Sequence, residues 1–238
     1  MTFNVRFDKH SPEQVLAAIR YGNADVIAIQ ELTTSLDDYL WQHLQTHYPY
    51  RQTAAADWPW GSGIYSRYPI TLVENRAWYM GLLDTQEALL TWEGQEVRFL
   101  NFHPVPPTLS MSSVSVAGFS LPKPDDYRAD VRHEQVGDLI ARLRENTVPL
   151  VLACDCNFDP ASHDYEELSH LLIDGFREAG WGFGHTLYFN DHPNPFQHIP
   201  LVRIDYVFHS QHWQTVQASV LPFASSNHRP VVIKLVVP

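Results

Sequence analysis

The spacing of hydrophobic residues along the chain predicts four helices, each with one apolar face. Ser11 and Gln14 suit a capping box that starts the first helix, and Gly22 ends it. The second helix begins at Ser35 and stops before Pro49. The third covers roughly residues 126–145, and the fourth is capped by Ser162. The apolar faces of the last three contain Leu36, Leu40 and Leu44, then Val136, Leu139, Ile140 and Leu143, then Leu168, Leu171 and Leu172.

Short apolar runs between the helices predict strands that are buried on both faces. Such runs cover residues 25–29 and 148–153, and further strands are predicted at 204–208, 215–221 and 231–237. Glu93-Gly94 suits the turn of a hairpin whose return strand, residues 96–102, leads to His103. Helix–strand units in both halves, with hairpins between them, predict a single domain over residues 1–238. The expected fold class is α/β: a four-layer α/β/β/α sandwich of two packed, mainly antiparallel sheets with outer helices.

Residues 104–124 interrupt this pattern. They are rich in Ser, Pro and Val, carry almost no charge before Lys123, and directly follow His103. A loop of this length is uncommon and often functional. Two interpretations stay open at this point, a poorly ordered surface loop and a substrate lid.

Polar residues stand beside the buried strands in a series of short motifs. Carboxylates, carboxamides and imidazoles are costly to bury unless they serve a metal, a substrate or one another. Because several strand ends each deliver such a residue, we expect one polar site on a rigid scaffold. The motifs are Phe3-Asn4-Val5, Ile29-Gln30-Glu31, Asn101-Phe102-His103, Asp155-Cys156-Asn157 with Arg203-Ile204-Asp205-Tyr206, and Ser226-Asn227-His228-Arg229-Pro230.

In this order the motifs resemble those of the endonuclease/exonuclease/phosphatase family, which has the DNase I-like fold. The resemblance covers nearly the whole chain and includes the connecting residues 63–70. One position departs from the pattern, because the family usually ends in Ser-Asp-His and Asn227 stands in the middle here. The resemblance implies a phosphoester hydrolase that depends on Mg²⁺ or Mn²⁺, and more specifically a phosphodiesterase.

The metal ligands implied by the resemblance are Glu31, Asn4 and Asn227. Hard oxygen ligands suit Mg²⁺, which prefers one or two protein carboxylates and keeps several waters. Glu31 is the principal ligand, and Asn4 either orients Glu31 or touches the metal. Read alone, Glu31 would be a surface acid after a strand, and Asn4 a turn residue.

The catalytic residues implied by the resemblance are His228, Asp205, Asp155, Asn157 and His103. His228 contacts the scissile phosphate or activates water, and Asp205 fixes its second ring nitrogen, although Asp205 could also pair with Arg203. Asp155 and Asn157 project to one face of their strand because alternate residues do so. Asp155 orients the water or protonates the leaving oxygen, while Asn157 and His103 donate to the phosphate.

Three further side chains have open interpretations. Arg132 lies on one helical face with Gln135, which matches an Arg-x-x-Gln pattern of the family. It either binds the substrate or forms a surface salt bridge. Trp58 and Trp60 either line the rim of the cleft or pack under a loop.

The composition of the chain limits the classes of substrate and binding partner that we expect. The 238 residues contain 45% hydrophobic and 18% charged residues, which suits a globular enzyme, and the net charge is −11. This charge argues against a strongly basic surface that would hold nucleic acid without specificity. A nucleic acid, a phospholipid headgroup and a small phosphorylated metabolite remain as substrates, with a modest preference against long duplex DNA. A non-catalytic family member that binds a phosphate-bearing ligand or a protein is the alternative, and Asn227 is its only direct support.

The two cysteines, Cys154 and Cys156, are two residues apart on a strand. We expect them to be buried core residues rather than a disulfide, so they do not indicate a compartment. A Cys-x-Cys metal site is the less favoured alternative. The sequence shows no signal peptide and no run of about 20 apolar residues. Because the first strand starts almost at Met1, we expect a longer parent chain, which could carry a membrane tether.

Overall fold

The computed structural model describes residues 1–77, 80–116, 119–188, 200–223 and 226–238. It contains two six-stranded sheets. The first sheet comprises β1 (Thr2–Asn4), β2 (Val26–Gln30), β3 (Tyr50–Ala54), β4 (Ser62–Ser66), β15 (Gln214–Val220) and β16 (Val231–Val236). The second comprises β5 (Ile70–Ala77), β6 (Leu83–Trp92), β7 (Gln95–Phe102), β10 (Leu150–Asp155), β11 (Ile173–Asp174) and β14 (Asp205–His209). Two small sheets pair β8 (Thr108–Val116) with β9 (Phe119–Arg128), and β12 (Leu187–Tyr188) with β13 (Pro200–Val202).

Five helices lie among the described residues. They are α1 (Pro12–Gly22), α2 (Thr34–Leu44), α3 (Asp130–Leu143), α4 (His163–Ser169) and α5 (Gly175–Ala179). Three apolar clusters show how the layers stack. One joins α1 and α2 to the first sheet, one fills the space between the two sheets, and one joins α3 and α4 to the second sheet. The predicted four-layer α/β/β/α sandwich is confirmed.

The strand order places one parallel pair inside each sheet. The orders are β15-β16-β1-β2-β4-β3 and β11-β14-β10-β7-β6-β5. Among the strands that the structure describes, only the pairs β1–β2 and β7–β10 are parallel. The carboxyl ends of two parallel strands lie at the same edge of a sheet. Antiparallel β14 begins at that edge too, since Asp205 is opposite Asp155. This topology brings the ends of several strands together.

The helix signals were largely correct. Ser11 caps α1 and accepts a hydrogen bond from the backbone N–H of Gln14 at 3.4 Å. Helix α2 starts slightly earlier than predicted because Thr33, rather than Ser35, is its N-cap. Helix α3 is shorter than predicted, since β9 extends to Arg128.

The prediction for the apolar face of α4 is wrong at its end. The helix stops at Ser169, so Leu171 and Leu172 lie beyond it, and Leu171 is exposed. The chain turns there to enter β11 at Ile173. The leucine spacing that is typical of a helix therefore extends in the sequence beyond the point where the helix ends.

The hairpin at Glu93-Gly94 is confirmed, and both residues have positive φ angles, of 49° and 80°. The loop predicted over residues 104–124 is wrong, because β8 and β9 form an antiparallel pair from Thr108↔Arg128 to Val116↔Phe119. Two-stranded sheets tolerate proline, since each strand has one unpaired side. The prolines and serines of this segment therefore did not exclude strands. Residues 117–118 lie outside the described part of the chain.

The expectation of unpaired cysteines is also wrong, because Cys154 and Cys156 form a disulfide. Strand β10 ends at Asp155, so Cys156 is not part of an extended strand. The two Cα atoms are 5.1 Å apart, within the range that a disulfide can span. Both residues are fully buried in the cluster beneath α3 and α4, as expected for packing residues.

Among the described residues, no helix has the length and apolar character needed to cross a membrane.

Candidate active site

The polar motifs converge at the edge of the sandwich where both parallel pairs of strands end. Strands β1 and β2 belong to the first sheet, whereas β7, β10 and β14 belong to the second. The site therefore spans the two sheets. Its central residues are Asn4 at the end of β1, Glu31 after β2, His103 after β7, Asp155 at the end of β10, Asp205 at the start of β14, and His228 before β16.

Asn4 connects two carboxylates that come from different sheets. Its Nδ2 donates to Glu31 Oε1 and to Asp155 Oδ2, both at 2.9 Å. Its Oδ1 accepts from the backbone N–H of Arg6 at 2.9 Å, which fixes the orientation of the amide. Glu31 has a left-handed backbone (φ 58°), and its Oε2 accepts from the backbone N–H of Phe7 at 3.0 Å. Both carboxylates are thus held before any ligand arrives.

His228 and Asp205 form a buried pair, as the resemblance implied. His228 Nδ1 lies 3.1 Å and 3.0 Å from the two carboxylate oxygens of Asp205. The other ring nitrogen, Nε2, lies 3.8 Å from Asp155 Oδ2. The hydroxyl of Thr186 accepts from the backbone N–H groups of Ile204 and Asp205, at 3.1 Å and 3.2 Å. Thr186 therefore fixes the start of β14.

These contacts change the charge states of the site. Burial lowers the pKa of His228, but the carboxylates of Asp205 and Asp155 outweigh burial and raise this pKa from 6.5 to about 9. Burial raises the pKa of Asp155 above its ordinary value, against the opposing effect of His228. His228 is therefore an imidazolium at neutral pH, and Asp155 is a stronger base than an exposed aspartate.

His103 lies next to Asp155, with its Nε2 3.5 Å from Asp155 Oδ2. Its ring packs on Trp60, with centroids 5.4 Å apart. Its Nδ1 is buried and has no hydrogen-bond partner among the described residues. Trp60 thus contacts the site, whereas Trp58 is more exposed, at 47%.

Asn157 lies two residues after Asp155 and adopts a left-handed backbone conformation (φ 54°). Because β10 ends at Asp155, Asn157 does not share a strand face with Asp155 as predicted. Its N–H donates to Asp155 Oδ1 at 3.2 Å, and its side-chain amide donates to the Pro104 carbonyl at 3.0 Å. Arg132 Nη1 donates to the Asn157 carbonyl at 2.5 Å, and Arg132 Nε donates to Asp164 Oδ2 at 2.7 Å. Arg132 is buried, so its salt bridge with Asp164 is an internal one rather than the surface salt bridge considered above.

Asn227 is half-buried and directly precedes His228. Its carboxamide oxygen accepts from the hydroxyl of Ser226 at 3.4 Å, and its backbone carbonyl accepts from the N–H of Tyr188 at 2.8 Å. Among the described contacts, its side chain is not joined to Glu31 or Asp155. It is the expected metal ligand that this structure connects least to the others.

The donor atoms of the site fit a hard divalent cation. Glu31 and Asp155 each place an oxygen 2.9 Å from one amide nitrogen, and Mg²⁺ prefers one or two carboxylates. Ligand atoms of Asp155, Asp205 and His228 also lie within 4.8 Å of one another. The sequence interpretation assigned Asp155 to catalysis alone, but the geometry adds it to the residues that could hold a metal.

Two residues of the site surroundings escaped sequence analysis. Thr186 supports the start of β14, and Asp164 pairs with Arg132 across α3 and α4. Neither lies in a motif, and each acts on a residue that is distant in sequence. Only the three-dimensional arrangement identifies them.

Comparison with known proteins adds a family-level match. The family model described as "Endonuclease/Exonuclease/phosphatase family" matches residues 1–228. No curated protein matches the chain.

Several solved structures share the fold over almost the whole chain. An endonuclease/exonuclease/phosphatase family protein of Bacteroides thetaiotaomicron has a TM-score of 0.72 and 18% identity, covering 100% of this chain and 96% of its own. The mannosyl-6-phosphatase of Bacteroides thetaiotaomicron VPI-5482 has a TM-score of 0.69 and 16% identity, with 99% and 98% covered. D. rerio TDP2, complexed with a single-strand DNA product, has a TM-score of 0.71 and 15% identity, with 99% and 97% covered. At these identities the likeness shows a common fold.

Proposed function

Because this chain belongs to the endonuclease/exonuclease/phosphatase family, we propose that it is a divalent-metal-dependent phosphoester hydrolase, specifically a phosphodiesterase. We assign residues 1–238 to one catalytic domain. The observation that carries the proposal is a buried Asp205–His228–Asp155 group, in which Asp155 shares the amide of Asn4 with the carboxylate of Glu31. Such a group combines proton transfer with cation binding.

Glu31, Asn4 and Asp155 would hold Mg²⁺ or Mn²⁺, with Asn227 as a weaker neighbour. When bound, the ion supplies positive charge to the phosphoryl oxygens and lowers the pKa of a coordinated water. Asn4 fixes the orientation of both carboxylates. Phe7 contributes through its backbone N–H, which holds the second oxygen of Glu31 at 3.0 Å.

His228 binds the phosphoryl group as an imidazolium. Its raised pKa keeps the proton on the ring at neutral pH, so Nε2 can donate to an anionic oxygen. Asp205 holds Nδ1 and thereby sets the plane of the ring. Asp155, which lies 3.8 Å from His228 Nε2, accepts the proton of the attacking water or returns a proton to the leaving oxygen.

His103 and Asn157 complete the pocket for the phosphate. His103 Nε2 lies 3.5 Å from Asp155 Oδ2, and the backbone N–H of Asn157 donates to Asp155 Oδ1 at 3.2 Å. Arg132 holds the Asn157 carbonyl and acts on the substrate through this contact. It is therefore proposed as a positioning residue.

The proposed substrate is given as a set of chemical classes rather than as one compound. Structural relatives include a mannosyl-6-phosphatase and TDP2 with a single-strand DNA product, so the fold serves both sugar phosphates and nucleic acid. The net charge of −11 disfavours long duplex DNA. Single-stranded nucleic acid, a phospholipid headgroup and a small phosphorylated metabolite remain as candidates.

A non-catalytic phosphate-binding protein is the second candidate, and Asn227 is the observation that favours it. An amide lacks the charge of the aspartate that usually occupies this position. The remaining acids and His228 are present, with His228 bonded to Asp205 and 3.8 Å from Asp155, which supports catalysis.

A substrate screen separates the two candidates. The protein is stripped of metal and assayed with and without Mg²⁺ or Mn²⁺ on bis-nitrophenyl phosphate, nitrophenyl phosphate, plasmid DNA and sphingomyelin. The proposal predicts metal-dependent turnover, with the diester cleaved faster than the monoester. Phosphate binding without turnover of any of the four would establish the non-catalytic candidate instead.

A further inference from the structure

A layer of buried uncharged polar side chains lies directly beneath the site, between the two sheets. Alternate residues of a strand face the same side, so Thr2 lies below Asn4 on β1, and Asn101 lies below His103 at the end of β7. The layer is completed from β2, β4 and β6. Its members are Thr2, Gln30, Ser62, Gln86 and Asn101, each exposed by 8% or less.

Hydrogen bonds within this layer cross from one sheet to the other. Gln30 Nε2 in the first sheet donates to Asn101 Oδ1 in the second at 2.7 Å, and also to Thr2 Oγ1 at 2.9 Å. Asn101 Nδ2 returns bonds to the first sheet, at 3.0 Å to the Ile29 carbonyl and 2.8 Å to Ser62 Oγ. Gln86 Oε1 accepts from Ser62 at 3.4 Å. Asn101 is thus clamped to β2 and β4 at once.

Apolar packing also holds the two sheets together. Farther from the site, the facing surfaces are apolar and pack through Ala28, Ile64, Ala88, Phe99 and Val151. Apolar side chains could fill the polar layer too, and burying amides contributes little net stability. Hydrogen bonds differ from apolar contacts in one respect, because they fix direction and distance.

This arrangement bears on the geometry of the site. Asn4 and Glu31 stand on the first sheet and Asp155 on the second, yet Asn4 reaches both carboxylates at 2.9 Å. A slip of about 1 Å between the sheets would break one of these bonds, and such misplacement can cost about 100-fold in rate. Gln30 is the residue before Glu31, and Asn101 is two residues before His103.

We infer that this buried amide layer sets the separation between the two halves of the site, and that Gln30 and Asn101 are positioning residues for catalysis. The inference rests on the proposed function. Neither residue touches the reacting atoms. Each acts through the site residue that follows its own strand, Glu31 after Gln30 and His103 after Asn101.

The test replaces both partners with apolar residues of similar size, in the double variant Gln30→Met/Asn101→Leu. Removing both members of the bond between Gln30 and Asn101 leaves neither of these side chains unpaired, but the buried Thr2 hydroxyl loses its partner. The fold should therefore be retained with a lowered melting temperature. We expect kcat on bis-nitrophenyl phosphate to fall about 100-fold, with KM changed less than threefold. Mg²⁺ affinity by calorimetry should weaken at least tenfold. Because calorimetry does not require turnover, it tests the inference even if the protein proves not to be a hydrolase.

A matched control and a milder variant complete the test. Thr215→Val removes a hydroxyl that is equally buried but contacts His209, far from the site, and should leave kcat and Mg²⁺ affinity unchanged. Thr2→Val removes only the hydroxyl that bonds Gln30, and should lower kcat about fivefold. This single variant provides the test if the double variant does not fold. A folded double variant with wild-type kcat and Mg²⁺ affinity would overturn the inference. So would Thr2→Val with wild-type values, should the double variant not fold.

Discussion

The side chains at the centre of the site take their charge states from one another. The carboxylates of Asp205 and Asp155 raise the pKa of His228, and burial raises the pKa of Asp155. Neither effect appears in the sequence, where each residue has an ordinary pKa. The working ionisation states follow from contacts between strands that are distant in the chain.

The charge of His228 should depend on Asp205. In metal-free protein, NMR should report a His228 pKa of about 9. Asp205→Asn removes the largest favourable contribution, so the pKa should fall towards 6.5. The proton would then be lost at lower pH, since the charged form is stable only below the pKa. An unchanged midpoint in Asp205→Asn would show that the pair does not control His228.

Asn227 provides the second test at this scale. A hard cation binds a carboxylate more strongly than a neutral amide. Asn227→Asp should therefore lower the Mg²⁺ concentration needed for half-maximal activity and raise turnover at low metal. A titration of both proteins with Mg²⁺ measures this directly. Identical curves would remove Asn227 from the metal site.

Secondary-structure elements outside the two large sheets shape the surroundings of the site. The antiparallel pair β8–β9 follows His103 closely, and α3 and α4 hold Asn157 through Arg132 and Asp164. The β8–β9 pair is a separate two-stranded sheet, whereas Arg132 and Asp164 form a buried salt bridge between α3 and α4. They are therefore expected to affect different properties of the protein.

Removal of the β8–β9 hairpin tests a contact with large substrates. Thr108 and Arg128 are paired, so a short Gly-Gly link can replace residues 109–127. We expect activity on lipid or polymeric substrates to fall more than activity on a nitrophenyl ester. Equal losses on all substrates would assign the hairpin a structural role.

Arg132→Lys distinguishes positioning from direct substrate contact. Lysine keeps the charge beside Asp164 but cannot bond Asp164 and the Asn157 carbonyl together. We expect kcat to fall about tenfold with KM changed less than threefold, since general acid–base geometry contributes about 100-fold or more. Arg98→Lys, at a partly buried pair with Glu87, is the matched control. A large rise in KM at constant kcat would instead place Arg132 on the substrate.

At the scale of the whole molecule, the sequence predicted the four layers and the residues that meet at one edge. Buried strands have continuous apolar runs, and their polar ends are conspicuous. The β8–β9 pair was missed because serine and proline are poor strand formers, and the disulfide because Cys156 lies just past the end of its strand. The roles of Thr186 and Asp164 were missed because packing between distant elements leaves no local pattern.

One comparison tests the central claim, that buried His228 and its acids hydrolyse phosphodiesters with a divalent metal. Turnover of bis-nitrophenyl phosphate is measured with saturating Mg²⁺ for wild type, His228→Gln and His209→Gln. His209 is an equally buried histidine, paired with Glu178 at 2.9 Å but remote from the site. We expect a loss of at least about 100-fold for folded His228→Gln, near-wild-type turnover for His209→Gln, and no turnover by any form after chelation. Equal activity of the two folded variants, or full activity without metal, would contradict the central claim.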